Sequence, residues 1–294
     1  MNKNRKYLLI AAIAVLLITA GMIYSFPSIP GMFKLNKQLQ EEGYYMAEFE
    51  FKMLGTVYNL DKGNYFKALS QLYKLNSQLK SRKGFIKLPV FKDKKEEMEF
   101  YLNLQNPNTG AFMDESYPFC TYTGPTGNVL NHLDALAKET GRPLKLKYPL
   151  KYLDEINTPE KLKKYLDDVS TVGWLGSKFP QTSFHFARCL LSLFHEDDVV
   201  VKRNLYKVSP EWDRALLEWF YDNQDPATGL WGPRSKEGKL RKKDTMNTAS
   251  ILKLFIDEEH CRRIKKIYFL SPDSVPAGTS GSSHHRFMIR RAPR

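Results

Sequence analysis

Cysteine is scarce in this sequence: three in 294 residues, Cys120, Cys189 and Cys261. An odd, sparse set leaves at least one thiol unpaired and excludes a disulfide framework. Cys189 sits in an apolar stretch, where a free thiol acts as a small hydrophobe. Strand patterning is nearly missing as well. Val199-Val200-Val201 is a brief β-branched run, and little else alternates. No Gly-x-Ser-x-Gly, no His-Glu-x-x-His and no phosphate-cradling glycine loop occurs. Neither a cofactor nor a bound metal is expected.

Negative charge is also in short supply, 32 Asp and Glu against 45 Lys and Arg, a net +13. Where the excess sits matters more than its size. Residues 1–6 hold +3 and residues 258–294 hold +5, which leaves +5 for the body between them. A nucleic-acid binder concentrates charge on its fold with aromatics interleaved, so no nucleic acid is expected as a partner. The dense internal run, Arg234 to Lys243, reads as a solvated loop. Its functional alternative is contact with anionic lipid or an acidic glycan.

What is present begins with Lys3, Arg5 and Lys6, followed by an uncharged stretch whose most apolar part is Tyr7 to Tyr24, 18 residues. That length is about the minimum for a hydrocarbon core of ~30 Å, and the flanking charge places the N-terminus in the cytoplasm. Bulky Met22-Ile23-Tyr24 stands where a signal-peptide cleavage site needs small residues. Residues 1–24 are therefore expected to be an uncleaved signal anchor in the cell membrane, single-pass, with the rest outside the cytoplasm. Residues 25–34, with two prolines and a glycine, read as a stalk. Residues 269–294 carry few core-forming side chains and read as a disordered basic tail.

Residues 35–268 read as all-α, about nine or ten helices with few strand signals. One long helix is expected from Leu35 to Tyr58, and another from Tyr65 to about Ser81 with Asp61 ahead of it as a cap. Thr158-Pro159-Glu160 and Ser209-Pro210-Glu211 both have the form of cap, proline and first-turn acid that opens a helix. Helices over 94–104, 127–140, 182–194 and 245–257 complete the pattern.

One stretch occurs twice. Gln224-Asp225-Pro226-Ala227-Thr228-Gly229-Leu230-Trp231 repeats Gln105-Asn106-Pro107-Asn108-Thr109-Gly110-Ala111-Phe112 at an offset of 119 positions. Glu99-Phe100-Tyr101 aligns with Glu218-Trp219-Phe220. Proline stops the helix, Thr-Gly makes a turn open to positive φ, and the aromatic packs back. Recurrence of such a unit signals an array of hairpins. The pattern Gln-x-x-x-x-Gly-x-Trp/Phe after an aromatic-rich helix resembles the QW-type repeat of squalene and terpenoid cyclases and of protein prenyltransferase β subunits. The resemblance covers roughly thirty residues at each copy and implies an α/α toroid-like array of helical hairpins.

The resemblance stops short of catalysis. The acidic cluster of the cyclases is not matched by Glu196-Asp197-Asp198 or Asp167-Asp168. Pro118 stands where the prenyltransferase zinc pattern, read back from Cys120, needs aspartate. What remains is polar groups in the loops after each turn. Asp114 and Asp244 are the candidate acid–base pair, although Asp244 can equally cap the helix at Thr245 and Asp114 can sit in a solvated turn. Glu115, Tyr117, Tyr122, Trp174, Trp231, Arg234 and Asn247 are candidate ligand contacts. His185, on an apolar helix, reads as a hydrogen-bonded core histidine. The expected partner is a glycan, an isoprenoid or anionic lipid, with hydrolase, lyase or cyclase activity. A non-catalytic envelope scaffold is the alternative.

Overall fold

The computed structural model describes residues 27–194 and 198–256. The expected anchor at 1–24, the tail at 269–294, and His195 with Glu196 and Asp197 lie outside the described residues. Among the described residues the chain is all-α, with no strand and three isolated bridges. No helix among them is long and apolar enough to cross a membrane.

The helices are α1 (Ile29–Glu41), α2 (Phe49–Asp61), α3 (Tyr65–Ser81), α4 (Lys94–Asn103), α5 (Thr123–Thr140), α6 (Pro159–Ser170), α7 (His185–Phe194), α8 (Val199–Lys202), α9 (Trp212–Asp222) and α10 (Thr245–Ile256). Several starts differ from the sequence expectation, each for a local reason. Residues 29–34 are helical, not stalk. Ser28 caps α1 by accepting from Gly31 N at 3.2 Å, and Pro30 falls in the first turn, where its missing N–H costs nothing. The helix expected over 35–58 is two helices, because Gly43 adopts φ +84° and breaks it. Val199–Val201 is a helical turn, so its β-branched run is overridden by packing. Asp61 does not cap α3; it ends α2 and accepts from Gly173 N at 2.5 Å.

The chain divides into two compact units. One comprises residues up to 46 with 69–89. In it α1 buries Met32 and Leu39, and the last part of α3 buries Leu72, Leu75 and Leu79. Its polar clasp is Arg82, held by Glu42 through two hydrogen bonds of 2.7 and 2.8 Å. The guanidinium keeps the Glu42 carboxyl down at about 2. Tyr45 N to Ile86 O and Leu88 N to Gly43 O, both 2.8 Å, tie the two segments together.

The other unit comprises 47–68 and residues from 90 onward. Here α5, α7 and α10 lie side by side with α7 in the middle. Helix α4 packs on α5, α6 packs on α7, and α9 packs on α6. Their apolar stripes meet in a core of Leu130, Leu133, Leu162, Leu166, Phe186, Leu190, Trp212 and Phe220. Cys120 and Cys189 are both buried thiols. Burial pushes the Cys189 thiol up to about 12 and that of Cys120 up too, so neither is a nucleophile.

Helix α2 is buried nearly all round, with Phe49, Phe51, Met53, Leu54 and Val57 covered. It packs on residues 119–121 and 176–178. A Cβ on Gly55 would stand 2.7 Å from Thr121, and one on Gly124 would stand 1.9 Å from the Phe51 ring. Two absent side chains thus let α2 lie flat against the first turn of α5.

Candidate functional site

The two repeated turns have one hydrogen-bond plan. Asn106 N donates to Ala111 O and Gly110 N to Asn106 O, both 2.8 Å; Asp225 N to Leu230 O and Gly229 N to Asp225 O are 3.0 and 2.8 Å. The glutamine amide closes each loop, Gln105 Nε2 to Gly110 O at 2.8 Å and Gln224 Nε2 to Gly229 O at 2.9 Å. Both glycines take positive φ, +74° and +69°. The aromatic N–H then docks on a threonine hydroxyl one helix later, Phe112 on Thr126 and Trp231 on Thr248.

From these turns the chain crosses to the starts of α5 and α10, and the candidate residues fall along that path. Asp114 accepts from Ser116 N at 2.9 Å and lies 3.9 Å from Lys52 Nζ. Glu115 accepts from the Asn106 and Asn108 amides. Tyr117 and Tyr122 are buried, and the Tyr122 hydroxyl donates to Glu115 O and Tyr117 O. Lys52 lies over the Tyr117 ring. These four residues build the first loop, and the structure gives them framing roles.

In the second loop Trp231 is 3% exposed and its indole N–H donates to Phe220 O at 2.6 Å. Its environment is that of a packing residue, with no open face to line a cavity. Arg234 donates to Gly238 O and Asn223 O, and its backbone pairs with Ser170 and Val172. Lys242 braces the loop before α7 by donating to Phe179 O and Pro180 O. Arg234 and Lys242 are therefore struts of the basic run, whereas Lys236, Lys239, Arg241 and Lys243 are exposed. Trp174 differs from Trp231, being 65% exposed on the loop Gly173–Gly176 with Lys178 Nζ over its ring at 5.0 Å.

Asp244 caps α10. Its Oδ1 accepts from Asn247 N at 3.0 Å and its Oδ2 from Asn247 Nδ2 at 2.6 Å. Both oxygens are engaged in the first turn. Asp114 is engaged in its own loop by Ser116 N and Lys52, so one candidate carboxylate serves a loop and the other a helix start.

His185, expected as a hydrogen-bonded core histidine, is buried as expected and stands among other buried polar groups. His185 opens α7 with only 8% of its surface exposed, and its Nδ1 has no hydrogen-bond partner. Burial, then the Arg188 charge, lowers its pKa, while Asp244 and Asn247 face it and pull the other way. The ring is therefore a neutral imidazole at pH 7. Asn247 is 3% exposed with its amide toward the imidazole, and Thr182, three residues before His185, is 2% exposed with its hydroxyl unpartnered. The Phe51 ring stands 6.3 Å from the imidazole. The Asn247 amide acts on the imidazole as a hydrogen-bond partner, so these buried polar groups form one cluster at the starts of α7 and α10, in which the Thr182 hydroxyl keeps unused hydrogen-bonding capacity. The signal available in the sequence was Thr182-Ser183-Phe184-His185, polar residues interrupting an otherwise apolar stretch.

Among the described residues no group of three or more His, Cys, Asp or Glu could hold a metal ion. No protein-family model, no curated protein and no solved structure matches the chain.

Proposed function

We propose that this chain is a glycan-binding α/α toroid-like domain, held at the outer face of the cell membrane by residues 7–24. Its site lies at the starts of α7 and α10, with His185 as proton acceptor. The observation that carries this reading is the buried polar cluster of His185, Asn247 and Thr182, in which the imidazole and the Asn247 amide face each other and the Thr182 hydroxyl has no partner. An imidazole nitrogen, an amide oxygen and a hydroxyl suit the hydroxyl groups of a sugar. They suit an isoprenoid chain poorly, since leaving them unpaired against hydrocarbon costs about 1–3 kcal/mol each. A neutral imidazole can accept a proton at physiological pH; the positive ends of two helix dipoles favour an oxyanion formed there and oppose the imidazolium. Asp244 acts here by positioning, its carboxylate fixing the Asn247 amide.

The test is calorimetric titration of the full chain with neutral and acidic oligosaccharides, run alongside assays for new reducing ends and for the ultraviolet absorbance of an elimination product. Binding is expected to be lost in His185→Ala and Asn247→Ala. Turnover, where present, should persist into mildly acidic pH, because the histidine charges only below its ordinary range. Unchanged binding in both variants would overturn the assignment. One observation favours a second reading, a non-catalytic envelope scaffold: α2 packs on residues 119–121 and 176–178, and its Phe51 ring stands 6.3 Å from that of His185. In that case His185→Ala changes stability and no ligand affinity.

A further inference from the structure

Helix α3 has two apolar sides. Ala68, Leu72, Leu75 and Leu79 are buried, as a core stripe should be. Beside them Tyr65, Phe66, Leu69 and Tyr73 are exposed, Phe66 by 92% and Tyr65 by 57%. At about 100° per residue these four share one sector of the helix, roughly 100° wide, next to the buried stripe. Lys67 and Lys74 lie about 80–100° beyond its edge, on the far side of the helix. An apolar side rich in aromatics with lysine on the polar side is the composition of a helix lying in a membrane interface.

We infer that this side of α3 rests in the headgroup–acyl boundary of the bilayer that holds residues 7–24. The inference rests on the anchor reading above. Chain length argues for it: four residues separate Tyr24 from the start of α1 at Ile29. A fully extended stretch of that size spans at most about 17 Å. The unit that contains α1 also contains α3 from Leu69 onward, so the tether keeps this unit at the membrane surface. Charge argues for it too. The described part of the unit, 27–46 with 69–89, carries seven Lys and Arg against two Glu, and each basic residue near an anionic leaflet adds attraction. Phe33 and Ile86, also of this unit, are each 44% exposed. The partner is thus an anionic bilayer surface.

The test uses the full chain reconstituted in vesicles of phosphatidylcholine with phosphatidylglycerol. Phe66→Cys and Lys74→Cys, each in a Cys261→Ser background, carry an environment-sensitive fluorophore, and the vesicles are prepared with and without brominated acyl chains. The label at 66 should be quenched about twofold and the label at 74 scarcely at all, the difference expected of an interfacial helix with one buried side. A triple Phe66→Asp, Leu69→Asp, Tyr73→Asp variant, its fold checked by circular dichroism, should lose protection of α3 from trypsin about tenfold while still sedimenting with the vesicles. Equal, weak quenching at 66 and 74 in chains that do sediment overturns the α3 surface and leaves the anchor standing. Failure of the wild-type chain to sediment overturns the anchor and this inference with it.

Discussion

The turns at 105–112 and 224–231 share a sequence pattern, a hydrogen-bond plan and a glycine in the left-handed region, yet they are embedded differently. Around the first, Gln105 is 4% exposed. It also donates to Tyr148 O at 2.7 Å and accepts from Lys147 N and Tyr148 N at 3.0 Å each. The segment 147–150 thus lies directly on the turn. Around the second, Gln224 is half-buried, and the nearest atom to a Cβ on Gly229 would be its own loop's Gln224 Nε2 at 4.0 Å. The motif fixes local geometry in both places. What surrounds the geometry decides how much stability rides on each residue.

The largest effect should fall where the copies agree. Phe112 and Trp231 are 1% and 3% exposed. Truncating either to Ala should cost about 3–5 kcal/mol in chemical denaturation. A near wild-type midpoint for both would break the claim that these turns organise the helices around them.

Glycine should separate the copies. A Cβ on Gly110 would stand 1.8 Å from Pro149 O, a backbone atom, whereas Gly229 has open space. Gly110→Ala should therefore cost about 3 kcal/mol, from overpacking added to φ strain. Gly229→Ala should cost only about 1 kcal/mol from the strain. Equal midpoints for the two variants would remove the difference in embedding. The glutamines should follow the same order. Gln105→Ala strands several buried backbone groups and should cost about 2–3 kcal/mol, against about 1 for Gln224→Ala.

The repeat and the all-α class were legible because they are local. Proline, glycine and apolar spacing act within a few residues, and the chain offers no competing strand signal. Thr158, read as a cap, does accept from Lys161 N. Ser209, in the same sequence context, caps nothing: its hydroxyl is buried without a partner and Glu211 precedes α9 instead. The candidate site was less legible, because what defines it is long-range. His185 looks like any histidine on an apolar helix until Asp244 and Asn247, some sixty residues later, are placed facing it. Tyr117 and Tyr122 looked available because they sit in a loop, but α2 comes from far upstream to cover that loop; the split near Gly43 that frees α2 depends on a single positive φ.

The smallest effect, and the sharpest probe, lies at a position that is polar in both turns but differs between them, Asn106 against Asp225. Both side chains accept from backbone N–H groups across the turn: Asn106 Oδ1 from Asn108 N and Thr109 N, Asp225 Oδ2 from Thr228 N at 2.9 Å and the Thr228 hydroxyl at 2.6 Å. An amide oxygen can make the same bonds as a carboxylate, with less charge assistance. Asp225→Asn should thus cost about 0.5 kcal/mol. The reverse exchange is not symmetric. Asn106 Nδ2 donates to Glu115 Oε2 at 3.3 Å, and Asn108 Nδ2 donates to the same oxygen at 3.0 Å. Asn106→Asp replaces a donor with a second carboxylate beside Glu115, at an exposed site where charge pairs are worth about 0.2–1 kcal/mol. It should cost about 1 kcal/mol at low ionic strength, and most of that cost should disappear in 1 M salt, where the Debye length falls to about 3 Å. A salt-independent loss would mean that the Asn106 amide matters for geometry and not for charge. A loss in Asp225→Asn as large as in Asn106→Asp would mean that the carboxylate at 225 has a duty the first turn lacks. The group to examine next would then be Arg234, whose pKa burial lowers and the Asp225 charge partly restores.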